Sequence, residues 1–178
     1  MTLPNYVRLH DLDRGIRELV INLNRIPQIH TQTNCEGHVW REVPAWPTKN
    51  GWIYFQKPQS QHENLIIGLN KYCNENQIFR LTQYNRDTDD EIIQYTINGM
   101  FESHEGDDGL KPFEDMNKKE QAAYWKRADI RKIELLKGWK ELNNMVVKYI
   151  TEELHSTPAD LPFRNKSDKS EAFSMCDF

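Results

Sequence analysis

The sequence predicts an α+β domain: a small mixed or antiparallel sheet in the order α-β-β-α-β-β, with helices on one face and a long C-terminal helical region. Three observations lead there. Apolar residues recur at helical spacing in two short segments and one long one. Two-residue alternation or short apolar runs mark four strand segments between them. Glycine, proline, asparagine and aspartate collect in the intervals.

The first helix is expected over residues 12–25, where Leu12, Ile16, Leu19, Val20 and Leu23 make one stripe, with Asp11 as cap and Pro27 as stop. Residues 29–33 read as a short strand that ends at Asn34, and residues 35–50 as a turn-rich loop holding Gly37, Pro44 and Pro47. In residues 52–56, Trp52 and Tyr54 point one way and Ile53 and Phe55 the other, so this strand is expected to be internal, with both faces covered. A second helix follows over 61–75, where Ser60 and Glu63 have the spacing of a capping box. Residues 79–84 and 92–101 read as a hairpin around the polar run 85–90.

The domain plan is a core over 1–102, a linker or surface loop over 103–118, a helical region over 119–155 and a polar tail over 156–178. The last helix carries the stripe Trp125, Ala128, Leu135, Trp139, Leu142, Val146 and Tyr149. Gly138 interrupts it, either to permit close packing or to break the helix in two. Its charges Lys126, Arg127, Asp129, Arg131, Lys132 and Glu134 read as an exposed face. A second copy of the chain is a candidate partner for this helix and the tail.

A net charge of −4 argues against bulk coating of nucleic acid, so any nucleotide contact has to be a local patch. Three widely spaced cysteines, Cys35, Cys73 and Cys176, fit reduced thiols rather than a disulfide framework. No apolar run reaches membrane-spanning length, and the first residues lack a signal-peptide layout, so the expected location is cytoplasmic.

The segment Asn34-Cys35-Glu36-Gly37-His38 concentrates reactive and polar side chains just after a strand, where functional loops gather. Glycine at position 37 permits a cramped turn and close approach to the main chain. Four readings compete. In the first, the loop binds a ligand through Gly37 amides and His38. In the second, Cys35 and His38 are half a zinc set, but Cys73, His62, His30 and His104 do not supply the rest at ligand spacing. In the third, His38 activates a nucleophilic Cys35. In the fourth, the segment is a structural turn around a small buried cysteine.

The ligand reading gathers further residues. Arg41, Lys57 and Arg80 are expected to contact phosphate, Trp46 or Tyr54 to stack on a base, and Asn34 and His38 to hydrogen-bond a base or sugar. The expected ligand-binding set is therefore Asn34, Cys35, Gly37, His38, Arg41, Trp46, Tyr54, Lys57 and Arg80, with no catalytic or metal-ligating residue and no cofactor. Phosphate-binding glycine loops, dinucleotide fingerprints, kinase signatures and a Ser-His-Asp arrangement are all missing from the sequence, which favours binding over catalysis. The lead expectation is a small binding protein for a nucleotide-like phosphorylated ligand, of the kind with which some small phage proteins sequester a signalling cyclic nucleotide.

Residues 12–57 also carry a resemblance. A helix ending in Leu23-Asn24, then Thr31-Gln32-Thr33-Asn34-Cys35-Glu36-Gly37-His38, then Gly51-Trp52-Ile53-Tyr54-Phe55, resembles the start of the wybutosine-synthesis family of tRNA-modifying methyltransferases. That family has an asparagine-ended helix, a Ser-Cys-Ser-Gly-Arg type motif and a Trp-bearing strand. This chain departs from it with Asn34 before the cysteine, Glu36 after it and His38 at the basic position. The resemblance implies S-adenosylmethionine and an RNA substrate, with Cys35, Gly37 and His38 near the site. A protein–protein adaptor built on the long helix and tail is the third class considered.

Overall fold

The computed structural model describes residues 12–41, 48–84, 92–101 and 113–155. Asp11, Trp46, the polar run 85–90, His104 and the tail 156–178 lie outside the described residues.

Helix α1 spans Arg17–Arg25, strand β1 His30–Cys35, β2 His38–Val39, β3 Thr48–Lys49 and β4 Gly51–Pro58. Helix α2 covers Glu63–Glu75, β5 Phe79–Tyr84, β6 Ile92–Gly99, and α3 Lys118–Glu152, preceded by a 3-10 turn at Phe113–Asp115. The main sheet is antiparallel throughout, in the order β1-β4-β6-β5, and β2-β3 is a separate two-stranded ribbon. This is the expected α+β architecture, with the ribbon added inside the loop between the first two expected strands. Because β6 runs antiparallel to both neighbours, β4 and β5 are parallel to each other. Such a pair needs a crossover, which α2 provides, and β6 returns into the gap between them.

The stripe residues Leu12, Ile16, Leu19, Val20 and Leu23 are all buried, yet α1 starts only at Arg17. Leu12 and Ile16 reach the core from the preceding turn, closed by the Ile16 amide on the Asp13 carbonyl (3.3 Å). The capping box expected at Ser60 does not form. Helix α2 begins at Glu63, and His62 occupies its N-cap position in the left-handed region (φ 60°) with no side-chain cap. The His62 ring is engaged elsewhere: Nδ1 lies 2.9 Å from the Tyr149 hydroxyl and Nε2 lies 2.7 Å from the Pro27 carbonyl. Those tertiary bonds override the local capping pattern. By contrast, Asn117 caps α3 with a complete capping box, its side chain accepting from the Lys119 and Glu120 amides.

One core lies between the sheet and the helices. Ile53, Phe55, Ile97 and Phe79 face Leu19, Leu23, Leu65, Leu69, Leu135, Trp139, Leu142 and Val146. Helix α3 runs unbroken through Gly138, where a Cβ would stand 2.1 Å from Phe79, so this glycine serves close packing. Its neighbour Trp139 is wholly buried against β4 and β6, in space that side chains at Gly51 and Gly99 would fill.

Strand β4 is internal, as expected, but only one of its faces is covered by helices. Ile53 and Phe55 are fully buried, whereas Trp52, Tyr54 and Gln56 alternate with them and stay half-exposed. The outer face is polar: Trp52 donates to Thr33 (3.2 Å), Gln32 to Gln56 (2.9 Å), and the Tyr54 hydroxyl bonds to Gln94. Hydrogen bonding on both edges makes the strand internal; burial of both faces does not. Among the described residues, no helix is long and apolar enough to cross a membrane.

Candidate functional site: the loop after β1 and the cleft beside it

Where β1 ends, Glu36 and Gly37 turn the chain into β2. Gly37 has φ +87°, and a Cβ there would stand 3.0 Å from the Gly51 amide nitrogen and 3.2 Å from the Lys49 carbonyl, so only glycine makes this turn without strain. The long helix α3 then pins the loop. The Trp139 indole donates to the Glu36 carbonyl (3.1 Å), and the Lys132 ammonium bonds to the Glu36 carboxylate (2.6 Å) and to the Gly37 carbonyl. The other Glu36 oxygen accepts from the Gly15 amide (2.6 Å), just ahead of α1. A carboxylate there suits the positive end of the helix dipole. Lys132 is therefore not part of the exposed charged face that its sequence neighbours suggest. Its side chain is one-fifth exposed and held by the loop.

Asp13 completes the cluster. One of its oxygens accepts from the Glu36 amide (2.9 Å) and lies 3.3 Å from His38 Nε2. Burial alone would raise the Asp13 pKa. The hydrogen bonds from His38 and the Glu36 amide, with the charges of His38 and Lys132, outweigh it and hold the carboxyl below its ordinary value. The His38 ring stacks on Trp40, with centroids 5.7 Å apart and planes 8° apart. Cys35 is completely buried beneath, and its sulfur lies with Asp13 and His38 in a group whose ligand atoms are all within 4.8 Å of one another. Complete burial opposes the nucleophile reading, because a reactive cysteine needs access to its substrate.

The structure divides the ligand-binding set expected from sequence. Asn34, Cys35, Gly37 and His38 do come together at the sheet end. Arg41 pairs with Asp129 (2.6 Å) and lies over the Trp125 ring (5.1 Å), so it serves the α3 surface. Tyr54 and Arg80 stand on the outer face, on β4 and on the edge strand β5. Lys57 is not available to a ligand. It is 2% exposed, and its ammonium donates to the carbonyls of Pro58 (2.9 Å), Gln59 (3.1 Å) and Gln61 (2.6 Å). Alternation along β4 turns it to the helix side, where it closes the loop into α2. Trp46 lies outside the described residues.

Beside the loop, between the start of α1 and the middle of α3, is an open cleft of about 560 Å³. Arg14, Arg17 and Lys140 line it together with Glu36, Trp139 and Asn143. Arg17 donates one guanidinium N–H to the Leu12 carbonyl (3.1 Å), while its buried Nε has no acceptor among the described residues. A buried donor without a partner is uncommon in folded proteins, and this one is shielded from solvent, so it is not itself a contact open to the cleft.

Sequence reasoning missed Asp13, Glu36, Lys132 and this cleft. Glu36 stood inside the chosen motif, and its acidic side chain between Cys35 and Gly37 was the one available signal. Asp13 and Lys132 carried none, since they enter from 22 residues before Cys35 and from the far helix. Compared with models of known families, with curated proteins and with solved structures, the chain matches none of them.

Proposed function

We propose that this chain is a binding protein for a small phosphorylated, nucleotide-like ligand, held in the cleft between α1 and α3. The observation that carries the reading is the gathering of three cationic side chains, Arg14, Arg17 and Lys140, along one cleft. Guanidinium and ammonium groups are the side chains that take phosphate oxygens, and charge-assisted bonds to them are the strong ones. A volume of about 560 Å³ exceeds what a bare phosphate needs and lies in the range of small organic ligands.

The test is calorimetry and thermal shift with mono-, di- and cyclic nucleotides, with pyrophosphate as the bare anion. Ligand at a hundred times its Kd raises stability by about 2.7 kcal/mol. Arg17→Ala and Lys140→Ala each remove a charge-assisted contact and are expected to weaken binding about tenfold or more. Arg80→Ala, on the distant edge strand, is expected to leave it unchanged. Equal affinity in all three variants, or no binding by any phosphorylated compound, overturns the reading.

A second reading is contact with single-stranded RNA on the outer sheet face, as an RNA-modifying enzyme using S-adenosylmethionine would need. What favours it is the grouping of Trp52, Tyr54 and Tyr84 there, with Lys49 over the Trp52 ring (5.2 Å) and the Tyr54 and Tyr84 centroids 6.4 Å apart. Aromatic platforms on open sheets stack bases. Quenching of tryptophan fluorescence by an oligonucleotide, lost in Trp52→Leu, separates this reading from the first.

A further inference from the structure

We propose that Asp13, Cys35 and His38 form a binding site for a divalent transition metal ion of the zinc type, with three protein ligands and a fourth position open to solvent. This goes beyond the phosphorylated-ligand reading and does not rest on it.

The donor set is one thiol, one imidazole and one carboxylate, which is the chemistry of zinc and cobalt(II) rather than of calcium or magnesium. Geometry supports the same ion. Around a tetrahedral zinc with bonds of about 2.0 Å to nitrogen and oxygen, those two atoms stand about 3.3 Å apart. The Asp13 oxygen and His38 Nε2 are 3.3 Å apart. The corresponding separation from sulfur is about 3.5 Å, given a Zn–S bond of about 2.3 Å. All three ligand atoms already lie within 4.8 Å of one another, so each separation from the sulfur has to close by about 1.3 Å at most, within reach of a cysteine side-chain adjustment.

The surroundings are those of a held ligand set. His38 is fixed in plane by Trp40, and Asp13 is anchored by the Glu36 amide. Such supporting contacts orient metal ligands and are part of a metal site's affinity. Charge also balances. With Cys35 as thiolate, the Asp13, Cys35 and Glu36 anions and the Lys132 cation leave two negative charges, which a divalent ion neutralises. On binding, the Cys35 thiol gives its proton to solvent and its sulfur forms the bond to the metal. Asp13 and His38 have side chains about one-quarter exposed, which gives the ion a path inward, while Cys35 lies beneath. Sequence spacing offered only Cys35 and His38. The third ligand comes from the turn before α1.

The experiment is a titration of metal-stripped full-length protein with Co²⁺, followed by its absorption spectrum. The expected result is one equivalent bound, with a near-ultraviolet thiolate-to-cobalt band and visible bands of four-coordinate intensity. Cys35→Ser abolishes the thiolate band, His38→Ala and Asp13→Asn weaken binding more than about tenfold, and Cys73→Ser and Cys176→Ser leave the spectrum intact. Because Cys35 is buried and its variant is liable to unfold, X-ray absorption of the zinc-loaded wild-type protein gives a readout without substitution. It should show one sulfur at about 2.3 Å and nitrogen or oxygen neighbours at about 2.0 Å. No thiolate band, a band that survives Cys35→Ser, or a zinc shell with no sulfur or more than one, overturns the proposal.

Discussion

Replacing Gly138 with alanine tests the packing of α3 on the sheet, because two effects of opposite sign meet there. In a helix interior alanine is favoured over glycine by about 1 kcal/mol. Against this, the new Cβ would stand 2.1 Å from Phe79 Cε2 and 2.7 Å from Cζ, where carbon atoms relax at about 3.5–4.0 Å. The ring has little room to retreat. Trp139 packs edge-on against it at 4.7 Å, Tyr72 lies at 6.0 Å, and its far side abuts Gly99. Overpacking of this kind costs about 1–3 kcal/mol, and a clash this deep belongs at the upper end. The net expectation is a loss of about 2 kcal/mol, or about 4–8 °C in Tm for a chain of this size. Gly68→Ala in α2 is the control. Its Cβ would meet only the Met145 methyl at an ordinary 3.5 Å, so propensity wins there and stability rises by up to about 1 kcal/mol. Equilibrium urea unfolding of both variants measures the difference, and adding Phe79→Leu to Gly138→Ala should recover part of the loss. If Gly138→Ala proves as stable as the parent, the close seating of α3 on Phe79 is refuted.

Three further expectations follow from buried polar groups. Lys57→Met removes the ammonium that binds three carbonyls between β4 and α2 and should cost about 2–3 kcal/mol in urea unfolding, without changing ligand affinity. Asn24→Ala should cost about 1–3 kcal/mol, since the Asn24 side chain accepts from the Thr31 amide (3.1 Å) and donates to the Val20 carbonyl (2.8 Å) inside the core; an unchanged urea midpoint would remove that role. His62 gives a pH dependence. Burial comes first among its influences and lowers its pKa below the ordinary 6.5, with the charge of Lys57 acting in the same direction against the Pro27 hydrogen bond. Above pH 6.5 the ring is neutral in both states and adds no slope. As pH falls through 6.5 the unfolded chain takes up a proton that the folded chain does not, and stability drops until the folded pKa is passed. His62→Asn tolerates the left-handed backbone, and its Tm between pH 7 and pH 5 should fall less steeply than that of the parent; identical slopes would assign the loss to other groups.

The resemblance to the wybutosine-synthesis family rested partly on Asn24 at the end of the first helix. Here that asparagine is a clamp between α1 and β1, which accounts for an asparagine at this position by structure alone. The same holds for Trp52, whose indole is tied to Thr33 on the outer face.

The sequence by itself determined the elements whose signal is local and periodic. The buried stripe of α1, the alternation of Ile53 and Phe55 with Trp52 and Tyr54, and the hairpin of β5 and β6 all depend on residues within a few positions of each other. The need for glycine at position 37 was also legible, because a backbone that turns there admits little else. Tertiary structure decided the rest. The capping box expected of Ser60 and Glu63 gives way to a helix that starts at Glu63 after a left-handed His62, whose ring is held by Pro27 and Tyr149. Lys57 reads as a surface cation until strand alternation turns it inward onto three carbonyls. The site itself is assembled from Asp13, the loop at Cys35–His38, and Lys132 and Trp139 on α3, which only the packing of α1 and α3 on one face of the sheet brings together. Periodicity records which side of an element faces the core. It does not record which distant charged group will meet it there.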